Sequence, residues 1–563
     1  MTATENNAMG STRPSLDMRQ ATFVGSDEWR QDSDGILFSP IWNQCITQRG
    51  TDLLKREDFL YPAADVYAEL DLQIEFRTFG PFWSVGSLGM VFRAQDSVRF
   101  YCLEIIELEP AATESKFQAR FYVQDASGYR RDIGAATADH PPLPRTAAPV
   151  LGRSQTYLDA SPIWTTVRVR AHGTTFHVDI GGRTVLEVQD DTYAAGCAGI
   201  VSRGPNIFRN LKITGSPGML RRPWQVVADE RPTYFHPWPD PQGDYGDSQT
   251  RPGVVRTADG DLIVWFGVNG PPTSPHDVLL VRSSDEGRTW QDPILINQMA
   301  DGVKAGFFHG HSDGRVSCLY SHDEWKTRER AFSHDKGRSW TEPEPLLLSG
   351  VPIDRSVPHG AIGACAPIRR LSDGTLLQCC FHLEGDEAEE REGVWTRHRS
   401  LVIRSTDDGL TWTGPHYFDA ANYESNDCML VERRDGTVIS FARPFHSHLE
   451  WKSMSLDRGS TWSPQTPSSC PRVDHHYMIR HSSGVYLMAS RGFGVFINTS
   501  IDDGETWSAG TRISPCSGNT VLIELRDRRV LAVFHEAYRA STRVRAQFLN
   551  VQPDGRIMAD SSQ

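Results

Sequence analysis

The stretch SIDDGETW, Ser500–Trp507, is small, polar and glycine-bearing, yet it closes on a tryptophan. The same pattern recurs as SSDEGRTW from Ser283, SHDKGRSW from Ser333, STDDGLTW from Ser405 and SLDRGSTW from Ser455. Five copies of S-x-D-x-G-x-[ST]-W make this half of the chain a repeat protein. In each copy the aspartate can accept hydrogen bonds from the turn's own amides and the glycine tolerates a positive φ, so the motif is a structural turn rather than an acidic catalytic one. The tryptophan is expected to begin the next strand and to pack inward, burying a large apolar surface.

A second period runs through the same region. An apolar strand, a D-G turn and another apolar strand recur in VVRTADGDLIVWF, GHSDGRVSCLY, PIRRLSDGTLLQCCF and VERRDGTVISFA, and with degenerate turns in IRHSSGVYLMA and IELRDRRVLAVF. The turns fall near 259, 313, 373, 435, 483 and 527, so the spacing runs from 44 to 62 residues. Six hairpins predict a six-bladed β-propeller over 224–556, with 557–563 as a C-terminal tail. Only TRVRAQFLNV (Thr542–Val551) follows the sixth hairpin, so WQVVADERPTYF (Trp224–Phe235) is expected to supply the missing outer strand and close the ring.

Upstream there are no repeats. Residues 20–215 instead carry alternating segments: YAELDLQIEF (67–76), VRFYCLEIIEL (98–108), FQARFYV (117–123) and TTVRVRA (165–171). Period-two alternation at these lengths predicts half-buried antiparallel strands and a β-sandwich. The polar residues 1–19 are expected to be a disordered N-terminus, and 216–223, within GSPGMLRRPW, a linker. The fold class predicted is therefore all-β, a sandwich followed by a propeller. GIVSRGPNIFRNLKITG (199–215) resembles the last strands of laminin-G-like and concanavalin-like jelly rolls.

Composition excludes some classes of partner. A net charge of −13, from 71 acidic against 58 basic residues, argues against nucleic acid. No run of 18 apolar residues exists and the start MTATENNAMGSTRPS is polar, so neither a membrane span nor a secretory signal is expected, and a cytoplasmic location is. Ten scattered cysteines without a CxxC pair predict reduced thiols, not a disulfide framework. None of this sets an oligomeric state.

The five boxes, the six hairpins and TRPGVVRTADGDLIVWF, from Thr250, look like the sialidase (neuraminidase) superfamily. Blade topology then locates the site. With D-G turns and boxes at one end, the starts of inner strands and the ends of second strands share the other. Those positions hold Arg251, Lys304, His359, Asp427, His475, His476 and Asn519, and Asn269, His322, His382, Glu384, Arg443, Arg491, His535 and Glu536.

The resemblance implies that Arg251, Arg443 and Arg491 are the arginines that clamp a substrate carboxylate. Physical chemistry agrees, because a guanidinium fork binds a carboxylate bidentately and stays charged at any working pH. Asp427, 16 residues before Arg443, falls where sialidases commonly place a glutamate that activates a tyrosine nucleophile. Two departures stand against this. Asn519 occupies the expected tyrosine position, leaving Tyr538 as the nearest substitute, and the loop that should carry the acid/base aspartate offers only Asp277. Histidines that titrate near neutrality, His359, His475, His476 and His535, are the replacements expected for proton transfer, with His382 and Asn519 as substrate contacts. No cofactor or metal is expected: His309-x-His311 and His446-x-His448 each provide two ligands where zinc takes three or four.

Three functions follow. The first is an exo-acting sialidase-like glycoside hydrolase on an acidic oligosaccharide or glycoside. The second is a polysaccharide lyase on a uronate with histidine as base. The third is a non-catalytic glycan-binding protein, with the sandwich as a further binding module.

Overall fold

The computed structural model describes residues 18–24, 29–33, 35–38, 58–62, 65–78, 87–108, 115–140, 164–203, 206–225, 248–270, 273–291, 294–296, 304–322, 326–349, 351–352, 362–384, 397–418, 425–444, 449–471, 474–491, 494–514, 518–538 and 541–560. Every regular element among them is a β-strand. No described helix is long and apolar enough to cross a membrane.

The described strands before Ser248 form two seven-stranded sheets, the first domain. One contains Ser87–Ala94, Phe100–Leu108, Ser115–Gln124 and Arg130–His140, and the other Tyr67–Thr78, Thr165–His172 and Asn206–Pro217. Alternation puts Leu72, Ile74 and Phe76 of one sheet against Met90, Phe92, Tyr101 and Phe121 of the other in one core. The expected linker is partly strand, since the last sandwich strand runs to Pro217. Beyond it the chain stays on the sandwich: Gly218 N donates to Val66 O at 2.8 Å, and the Trp224 ring sits 4.8 Å from that of Tyr61.

After Ser248 the described strands form six four-layered antiparallel units, here numbered as blades one to six, and one short hairpin, Leu347–Leu348 with Val351–Pro352. Their inner strands are Ser248–Arg256, Lys304–Gly310, the broken pair Ile362–Ala364 and Arg369–Arg370, Ser425–Glu432, Asp474–Arg480 and Thr520–Glu524. Neighbouring units touch in sequence, and the sixth inner strand touches the first, so the succession closes. Buried apolar residues such as Leu279, Val281, Leu531 and Phe548 fill the junctions between blades. Each such side chain contributes about 1.5–3 kcal/mol of burial.

Two expectations are corrected here. The outer strand of blade six is Ile557–Ala559, which pairs antiparallel with Ser541–Val551. Residues expected as a tail therefore complete that blade through a hairpin, Gln552 to Arg556, whose Gly555 has φ of 84°. Trp224 and Gln225 are not in a strand, and 226–247 lie outside the described residues. Nor, outside blade three, where Trp412 directly precedes the strand Thr413–Tyr417, does the box tryptophan open the next strand. In blade five the outer strand starts at Thr511, and Trp507 instead wedges edge-on to Phe441 of blade four, with centroids 5.7 Å apart.

The serine, aspartate and glycine of every box are bonded to one another or to the turn. In the first copy Ser283 Oγ donates to Asp285 Oδ1 at 2.8 Å and accepts from Gly287 N at 2.8 Å, while Asp285 accepts from Thr289 N and Thr289 Oγ. The same set recurs around Asp335, Asp407, Asp457 and Asp502. Trp290 Nε1 then donates to Gly287 O at 3.0 Å. The variable residue before the glycine has its own role. Glu286, Lys336, Asp408, Arg458 and Asp503 all take a left-handed φ, between 57° and 63°. Each reaches the inner hairpin of the preceding blade: Glu286 accepts from Arg526 N, Lys336 pairs with Asp261, Asp408 accepts from Ser312, Arg458 pairs with Asp373, and Asp503 O accepts from Arg433. Boxes and hairpin turns therefore share one end of the ring.

Titration follows from these bonds. Burial alone would raise the box carboxyls, but hydrogen bonds from Ser and Thr outweigh it, so all five lie below the usual carboxylate range, with Asp335 at about 2. Burial, helped by the nearby His311 and Arg370 charges, holds His309 down at about 3. Both effects have the same sign, because the unfolded chain binds more protons than the folded one. The histidine contribution is lost as pH falls from about 6.5 towards 3, and the carboxylate contribution as pH falls below about 4. The thermal midpoint is therefore expected to decline in two steps on acidification, and His309→Gln should flatten the upper step. A midpoint level from pH 7 to 4 in the unsubstituted chain would contradict this.

Candidate functional site

The end opposite the boxes is built by a repeated irregularity. In blade one the register passes from Thr250 opposite Gly267 to Gly253 opposite Trp265, three residues against two. Blades two, four and five do the same: Ala305 to Phe308 against Tyr320 to Cys318, Asn426 to Met429 against Arg443 to Phe441, and Asp474 to Tyr477 against Arg491 to Ala489. Each inner strand thus has a β-bulge at its entry, the device by which strands re-aim side chains near sites. Arg251 lies in the first bulge, Asp427 in that of blade four, and His475 with His476 in that of blade five. Blade three breaks its inner strand instead, and blade six has neither.

The second strands are in phase. Arg443, Arg491 and His535 each lie five residues beyond the start of their strands at Val438, Tyr486 and Val530. Three consecutive blades thus present arginine, arginine and histidine at one register. Arg443 is 3% exposed and His535 7%, so both sit within the protein rather than on an outer surface.

His535 is fixed by Asn519. The Asn519 backbone N–H donates to His535 Nδ1 at 3.1 Å, and His535 N donates to Asn519 O at 3.2 Å. With Nδ1 accepting, the neutral ring carries its proton on Nε2. Gly518 permits the approach, because a Cβ there would overlap the His535 carbonyl oxygen.

The other candidates are placed by backbone alone. His382 pairs with Ile362 in blade three, two residues beyond the Cys380–Ala364 pair, and Tyr538 is the last residue of its strand, opposite Ser541. His359 lies outside the described residues, as do the side chains of Arg251, His382, Asp427, His475, His476, Arg491 and Tyr538.

His309, His311 and Asp408 form a group whose ligand atoms lie within 4.8 Å of one another, at the box end. Their donors are already committed. His311 contacts Asp408 O and Ser317 Oγ, both at 2.8 Å, and Arg370 bridges His309 Nε2 and the Asp408 carboxylate. An ion would have to displace the guanidinium, and the group is better understood as a lock between blades two and three.

The sandwich rests on blade five. Arg120 Nη2 donates to Trp507 O at 3.0 Å, Ala509 N to Asp132 Oδ2 at 3.1 Å and Arg512 N to Gly128 O at 3.3 Å. The buried Arg130 lies between the rings of Tyr122 and Phe496, 4.9 and 4.7 Å from their centroids. Sequence alternation marks Arg120 only as a polar position of the strand in FQARFYV.

Comparison with known proteins agrees with this architecture. Residues 308–491 match the BNR repeat-like domain family. A sialidase of Clostridium perfringens is 23% identical over 242 residues, 38% of this chain and 60% of that relative, so the match spans well under the relative's full length. In sequence the chain is thus similar to BNR-repeat proteins over residues 308–491 and, more distantly, to a sialidase. Among solved structures, the Hadza microbial sialidase Hz136 overlaps 88% of this chain and 96% of its own at a TM-score of 0.45 and 14% identity. An α-L-arabinanase of Penicillium chrysogenum overlaps 56% and 97% at 0.40 and 14% identity.

Proposed function

We propose that the chain is a glycoside hydrolase that holds a carboxylate-bearing sugar with Arg251, Arg443 and Arg491 and transfers protons through Asp427 and its histidines. The observation that carries this reading is the common register of Arg443, Arg491 and His535 beside the bulges that contain Arg251, Asp427 and His475. Two guanidinium forks on neighbouring blades match one carboxylate. The neutral His535 in the next blade adds a hydrogen-bond donor, Nε2–H, at the same register. The sialidase named for the Clostridium perfringens relative points to the same substrate class.

With its Nδ1 lone pair occupied by Asn519 N–H, His535 is a hydrogen-bond donor at Nε2 and not the base of an elimination. The test is incubation with sialosides and with uronic-acid glycosides, following sugar release and near-ultraviolet absorbance together. Release without absorbance supports the reading. An absorbing unsaturated uronate would replace it with a lyase, and silence on all substrates with a glycan-binding protein.

A further inference from the structure

Blades three and four bring cysteines together beside the inner strands. Cys365 lies in the gap between Ile362–Ala364 and Arg369–Arg370, and Cys428 in the bulge of blade four, directly after Asp427. Their sulfurs are 3.7 Å apart. Cys428 is fully buried, and its thiol has distant carbonyl acceptors, Cys380 O at 3.6 Å and Leu401 O at 3.8 Å. Cys365 is partly exposed. A third thiol, Cys379, is buried and lies within the regular ladder opposite Val402.

We propose that Cys365 and Cys428 form a reversible disulfide that ties blade three to blade four at the level of Asp427. The oxidant is a peroxide. Hydrogen peroxide converts the Cys365 thiol to a sulfenic acid and leaves as water. The Cys428 sulfur then attacks the Cys365 sulfur, the S–S bond forms, the S–O bond breaks, and the departing hydroxide takes the Cys428 proton as a second water. Two thiols lose two electrons and one peroxide gains them.

The order follows from exposure, since burial raises the Cys428 thiol well above its ordinary value and leaves little thiolate to meet the oxidant. Neither residue stands in the ladder register, and Cys365 is held to blade three by its N–H on Cys379 O at 3.1 Å, so closing from 3.7 Å to a bond of about 2.05 Å falls to side-chain rotation and the bulge. Cys379 has no such freedom. The covalent link would reposition Asp427, a consequence that rests on the function proposed above, whereas the link itself does not.

The experiment exposes the full-length chain to substoichiometric hydrogen peroxide, blocks remaining thiols with iodoacetamide under denaturing conditions and maps the digest without reduction by mass spectrometry. A Cys365–Cys428 cross-linked peptide is expected. It should vanish on treatment with dithiothreitol and in Cys365→Ser, and persist in Cys379→Ser. A Cys379–Cys428 link would overturn the proposal, and so would sulfinic acid on Cys365 with Cys428 fully alkylated. Because the readout is a mass, these outcomes are independent of whether any sugar is turned over.

Discussion

Arg443→Ala is expected to lower kcat/KM on an acidic glycoside by roughly 30-fold to several-thousand-fold, the equivalent of the about 2–5 kcal/mol lost when one partner of a desolvated charge pair is truncated. The argument begins with burial: at 3% exposure the guanidinium has little water to compensate for a missing carboxylate. It continues with register, because Arg443 is opposite Asn426, immediately before the bulge that contains Asp427. Arg443→Lys keeps the charge and loses the planar fork, so it should recover part of the activity and little of the affinity. The thermal midpoint of each variant separates loss of the clamp from loss of the fold. A folded Arg443→Ala chain with unchanged turnover would remove the clamp from the mechanism.

Much of this was legible in the sequence, and what was missed has physical reasons. The serine, aspartate and glycine of the box are fixed by short-range bonds that recur in every copy, and its tryptophan by packing, so one alignment of five stretches reveals them. The residue before the glycine is not, because Glu286, Lys336, Asp408, Arg458 and Asp503 alternate in charge. Their shared property is a left-handed φ and a partner one blade away. The last outer strand was missed because Ile557–Ala559 is three residues long with only Ile557 buried. The turn PDGR before it is nevertheless a D-G hairpin like the others.

At the site, VISFAR, YLMASR and VLAVFH already ended on arginine, arginine and histidine, and register made these ends equivalent. The bulges were not legible. A slip of one residue leaves no compositional trace, and it decides that Arg251, Asp427 and His475 occupy one structural position. Docking of the sandwich was equally hidden, since Arg120 has the alternation of an open sheet face until blade five covers it.

That contact sets the second large effect. Trp507→Ala should destabilise the protein by about 3–5 kcal/mol, the usual cost of deleting a buried indole. At 6% exposure the ring packs edge-on to Phe441 of blade four, while the same residue's carbonyl accepts from Arg120 of the sandwich. The main-chain carbonyl survives in the alanine variant, so the substitution opens the junction with blade four directly and disturbs the sandwich contact only by shifting the backbone that carries it. Trp290, partly buried in blade one, is the control: it keeps the Nε1 bond to Gly287 and has no described partner in the sandwich. If the sandwich leans on blade five, Trp507→Ala should split denaturant unfolding into two transitions and Trp290→Ala should leave one, shifted to a smaller extent. Equal losses with a single transition in both variants would mean that the domains are coupled elsewhere. The first stretch of sequence considered would then serve its own blade alone.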